Sequence, residues 1–167
     1  MNFYITSGTY DFLSKIKAKY PNEMLLMQNN ENAVLLHETE KKSLFSMPQK
    51  FKVIESFGSF ENAEIAEAAY IPLTEEEKPL FEYRFKNSYT RLQFQPGFIA
   101  LRILQPQKAN NHLILTFWEN ETAYKNWQSS PAYLLFFENS STNSNQLHLF
   151  SGSSYTKTYF IISMLYS

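Results

Sequence analysis

The sequence predicts an α+β fold, with a ferredoxin-like β-α-β-β-α-β lobe over residues 66–167 and a small N-terminal α+β lobe, residues 1–58, covering its sheet. Three observations carry this reading. Phe81, Phe85, Tyr89 and Leu92 recur at helical spacing, and so do Ala123, Tyr124 and Trp127. β-rich runs flank these segments in the order strand, helix, strand, strand, helix, strand. The polar stretch GSFENAEI, 58–65, separates them from an earlier set of elements.

In chain order, NFYIT (2–6) alternates as a strand, Gly8 supplies a turn, and Thr9 is placed to cap a helix. Phe12, Leu13, Ile16 and Tyr20 give that helix its apolar face, and Pro21 with Asn22 ends it. EMLLMQ and NAVLLHE form a β-hairpin across Asn29–Asn32, and FKVIESFG adds a further short element. In the second half, Ala66–Thr74 is a strand. The acids of TEEEKP fall in a first helical turn, where the macrodipole favours them and Pro79 is tolerated. Gln95-Pro96-Gly97 is a turn between that helix and the strands FIALRIL and HLILTFW. Asn120 caps the next helix, and Ser130-Pro131 opens a short one over 131–138. SSTNSNQ is a loop and YTKTYFIISMLY a closing strand. An antiparallel sheet with both helices on one face leaves the other face bare, and the first lobe is the available cover.

Composition removes several functions. Net charge is −1 with 19% charged residues, so no basic field points to nucleic acid. With no cysteine, disulfides, thiolate metal sites and cysteine nucleophiles are excluded. MNFYITSG lacks the features of a secretory signal, and no window approaches the roughly 20 apolar residues of a membrane span. A soluble cytoplasmic protein is expected. His37, His112 and His148 stand far apart, without metal-ligand spacing, and there is no G-x-S-x-G, P-loop or G-x-G-x-x-G. What remains is an aromatic-rich lobe, with 15 Phe and 11 Tyr, poor in polar catalytic groups. Such a lobe suits a flat ligand that brings its own chemistry, although aromatics fill a β-rich core equally well.

Three stretches carry a resemblance: YITSGTYDFL (4–13), QPGFIALRIL (95–104) and LTFWENETAYKNWQSS (115–130). Together they resemble the antibiotic-biosynthesis-monooxygenase (ABM) fold. Over nearly the full length, the chain is similar to the two-lobed, HmoB-type relatives of the IsdG-type heme-degrading monooxygenases and to the TRAP signal-transduction proteins. For the heme-degrading members the resemblance implies a triad of Asn, Trp and His. The His binds iron, the Trp ruffles the porphyrin, and the Asn hydrogen-bonds near the distal oxygen. Trp127 matches the catalytic Trp, Ala69 stands at the Asn position, and Phe137, ten residues after Trp127, stands at the ligand position. Neither alanine nor phenylalanine supplies the missing bond. An axial ligand would then come from His148 or Tyr133, and Arg84, Lys86 or Arg91 would meet the propionates unless they only line a solvated helix face.

Three functions stay open at this point. One is a heme-binding, heme-degrading monooxygenase with a partly lost triad and an unassigned electron donor. Another is a non-enzymatic TRAP-like protein whose pocket is plugged by Tyr133, Phe136 and Phe137. The third is a cofactor-free oxygenase of polyaromatic substrates. A monomer is expected, because residues 1–58 cover in cis the sheet face that a second subunit covers in single-lobe relatives.

Overall fold

A computed structural model describes residues 1–108, 111–137 and 152–163. The loop 140–146, His148 and the last residues of the closing strand lie outside them. The strands are β1 (Asn2–Gly8), β2 (Met24–Gln28), β3 (Ala33–Thr39), β4 (Gln49–Phe57), β5 (Ile65–Pro72), β6 (Phe98–Pro106), β7 (Asn111–Trp118) and β8 (Tyr155–Ile161). The helices are α1 (Tyr10–Lys19), α2 (Lys78–Phe85), α3 (Glu121–Gln128) and α4 (Pro131–Phe137). From β5 onward the order is the ferredoxin-like one expected. No helix among the described residues is long and apolar enough to cross a membrane.

The relation between the two halves differs from the expectation. The first half does not lie over the second as a separate lobe. All eight strands join one closed antiparallel barrel in the order β1-β3-β2-β8-β5-β7-β6-β4. Two seams join the halves: β4 pairs with β6, and β2 with β8 at Met27–Ile161 and Gln28–Phe160. The bare sheet face is buried because the far wall of the same barrel faces it. The interior is filled alternately along each strand, by Phe3 and Ile5, Val34 and Leu36, Ala66 and Ala68, and Leu113, Leu115 and Phe117. Arg102 and Glu38 share this inward alternation and form a forked ion pair across the halves, at 2.6 and 3.2 Å. The Arg102 guanidinium also donates to the carbonyls of Phe57 and Leu101 and lies over the Phe60 ring.

Outside the barrel, α1 covers Tyr4, Leu26, Leu35 and Phe45 through Leu13, and Thr9 caps it by accepting from the Phe12 amide. Phe12 itself is exposed, so the apolar face of α1 is narrower than its spacing suggests. The helix carrying Phe81 and Phe85 stops at Phe85. Asn87 takes a left-handed conformation (φ 56°), which asparagine tolerates better than most residues, and a 3₁₀ turn at Ser88–Arg91 carries Tyr89 and Leu92 back onto the same apolar cluster. The acids 75–77 precede this helix instead of occupying its first turn. Thr74 and Glu77 bond reciprocally there: the Thr74 amide donates to Glu77 Oε1 and the Glu77 amide to Thr74 Oγ1.

Candidate functional site

Strand alternation sends Ile65, Glu67, Ala69 and Ile71 of β5 outward, toward the layer formed by α2, α3 and α4. Helix α3 starts where Asn120 Oδ1 accepts the Ala123 amide at 2.8 Å. Tyr124 and Trp127, three residues apart, then share the face pressed on the sheet. Ser129 and Ser130 turn the chain, and α4 brings Tyr133, Phe136 and Phe137 back over Trp127.

Trp127 is 1% exposed. Its indole stacks on Trp118 with centroids 4.7 Å apart and meets Tyr133 edge-on at the same separation. Phe136, Phe137 and Tyr124 follow at 5.9, 6.1 and 6.4 Å. Ala69 packs in the same cluster, so Trp127, Ala69, Tyr133 and Phe137, distant in sequence, meet on one side of the barrel. Of the three cations, Arg91 reaches this cluster. Its guanidinium lies 5.4 Å from the Phe136 centroid and 5.6 Å from that of Phe85, and it donates to the Arg84 carbonyl. Arg84 lies half-buried on α2, and Lys86 is exposed just beyond its end.

The polar centre of the cluster is Glu67, which sequence reasoning passed over. Its Oε2 accepts hydrogen bonds from the hydroxyls of Tyr124 and Tyr133, while its Oε1 and the Trp127 Nε1 are buried without a partner among the described residues. Burial raises the Glu67 pKa, and the two tyrosine hydrogen bonds hold it partly down. Burial first, and then the Glu67 charge, raise the pKa values of Tyr124 and Tyr133. The available signal was a single acid inside the apolar run IAEAAYI. An acid at that place in a half-covered strand faces either water or hydrogen-bond donors.

Heme, the group the resemblance implies, does not fit these residues. Phe137 has no donor atom, and the Tyr133 hydroxyl is a proton donor to Glu67 with a raised pKa, the opposite of a tyrosinate ligand. A porphyrin laid on the indole would have to take the place of the Tyr133, Phe136 and Phe137 rings. No three His, Asp or Glu side chains cluster as metal ligands among the described residues.

Residues 65–139 match the family antibiotic biosynthesis monooxygenase. The chain carries an ABM domain. That domain takes in β5 through α4, the elements that build the Trp127 cluster, and it has relatives of two kinds. The chain is 28% identical over 129 residues, 77% of each protein, to a heme-degrading monooxygenase of Listeria monocytogenes. It is 29% identical over 134 residues, 80% of each, to the signal transduction protein TRAP of Staphylococcus epidermidis. A solved structure described as a major regulator of staphylococcal pathogenesis superposes with a TM-score of 0.83, covering 96% of this chain and 98% of its own. At 24% identity that likeness shows a shared fold around the ABM domain and nothing about activity.

Proposed function

We propose that this chain uses the ABM fold as a non-enzymatic, TRAP-like signalling or stress protein that acts by interaction. The observation supporting this reading is the enclosure of Trp127. The position that would press on a porphyrin is occupied on its open side by Tyr133, Phe136 and Phe137, and Tyr124 and Tyr133 are tied to Glu67 beneath them. Similarity to TRAP over 80% of the chain agrees with it. Ferric heme titrated into the purified protein is expected to give no saturable one-to-one Soret shift, and no bilin with a reductant and oxygen. A stoichiometric shift followed by ring opening would overturn the reading.

The second reading, a heme-degrading monooxygenase that opens porphyrin and releases iron, is favoured by the Listeria relative and by the tryptophan at position 127. It requires α4 to leave the indole and an axial bond from outside the described residues, where His148 stands. In either case the protein is proposed to act as a monomer, because strands from residues 1–58 complete the barrel within one chain. Light scattering at low protein concentration checks this, and a dimer would count against it.

A further inference from the structure

A hollow of about 330 Å³ opens at the end of the barrel where β5 and β6 finish and β7 and β8 begin. Its walls include Phe51, Tyr70, Pro106, Lys108, Asn111 and Tyr155. Tyr70 packs against the barrel interior, on the sheet face opposite the Trp127 cluster. Tyr70 and Tyr155 are cross-strand partners, and their rings stack with centroids 4.9 Å apart and planes 13° from parallel. Tyr155 is about half exposed, so the stack is not closed over. Burial beside Tyr159 raises the Tyr70 phenol pKa, so that ring is held as the neutral phenol.

Among the described residues, no carboxylate lines the hollow, and its charged lining residues are Lys50 and Lys108. Alternation along β4 turns Phe51 inward and Lys50 to the outer face beside Tyr4, which leaves Lys108 as the lining cation on the inner side. Lys157, two residues along β8 from Tyr155 and therefore on the same face, holds its ammonium 5.9 Å from the Tyr70 ring centroid. Among the described residues, neither Lys108 nor Lys157 has an acid within ion-pair distance. Like charges gathered at a partly apolar mouth repel one another, and a bound anion relieves that cost. The volume lies at the low end of small-molecule pockets, about 300–1,000 Å³, which suits one or two fused rings.

We propose that this barrel mouth binds a planar aromatic carboxylate, its ring against the Tyr70–Tyr155 stack and its charge between Lys108 and Lys157. The site does not depend on the proposed function, since it uses the inner face of the sheet and the heme test reads the outer one. The probe is 2-naphthoate, titrated into the full chain by calorimetry and followed by amide NMR shifts. It is compared with neutral 2-naphthamide and with non-aromatic cyclohexanecarboxylate. One naphthoate per chain is expected, at least tenfold tighter than either analogue, with shifts centred on Tyr70, Asn111 and Tyr155. Lys108→Gln combined with Lys157→Gln is expected to weaken binding at least tenfold, and so is Tyr155→Ser, a separate variant at a half-exposed position. The comparison of the three compounds needs no variant, so it stands even if one misfolds. The proposal is overturned by an absence of saturable binding at millimolar naphthoate, by equal binding of all three compounds, by shifts centred on Trp127, or by unchanged binding in the folded variants.

Discussion

Trp127 touches five aromatic rings, so its truncation is a packing experiment. Trp127→Ala is expected to destabilise the fold by about 3–5 kcal/mol, as large aromatic deletions in filled cores do. Urea unfolding measures it, and a loss below about 1 kcal/mol would indicate an indole facing free space. Glu67 makes a different prediction. Its folded-state pKa is raised, so the folded chain binds this proton more tightly than the unfolded chain does. The associated stability is fully present below the ordinary carboxylate value of about 4.5 and is lost as pH rises through the raised folded value. Glu67→Gln removes that loss. Wild type should therefore fall relative to the variant as pH rises above about 4.5, and a pH-independent difference would contradict the assignment. Trp127 was legible in the sequence because an indole at helical spacing after a capping Asn has a predictable face. Glu67 was not, because its partners stand 57 and 66 positions away on two different helices.

Local chemistry decides most elements, and the clearest cases are caps and turns. Asn120→Ala removes the acceptor of the Ala123 amide and is expected to cost about 1 kcal/mol. Gly97→Ala is expected to cost more. Gly97 has φ +80°, and a Cβ placed there would stand 2.3 Å from the Cβ of Ala123. Pairing it with Ala123→Gly should recover the steric part and leave the backbone part, and thermal unfolding of the three variants separates the two. Thr9, Asn120, Pro131 and the Gln95-Pro96-Gly97 turn were legible because each acts on residues within three or four positions. The helix through Leu92 was overextended. Spacing marked Phe81, Phe85, Tyr89 and Leu92 as one apolar set, which they are, but a 3₁₀ turn after a left-handed Asn87 presents the same set.

At the scale of the molecule, the Arg102–Glu38 pair links strands from the two halves, 64 positions apart, with the arginine side chain 7% and the glutamate 20% exposed. Arg102→Met leaves Glu38 buried without its partner and is expected to destabilise the chain by about 3–5 kcal/mol. Replacing both residues with apolar ones should recover much of that loss, and a double-mutant cycle in urea measures the coupling. By itself, the sequence determined the α+β class, the order of elements, most of the apolar faces and the ABM resemblance, because periodicity, caps and turn residues act over short distances. Only the tertiary structure decided that both halves close one barrel, that Glu67 lies beneath two tyrosines, and that the rings of α4 enclose Trp127. Alternation tells which side chains point inward, but which strand becomes the neighbour is set by pairings across the whole chain.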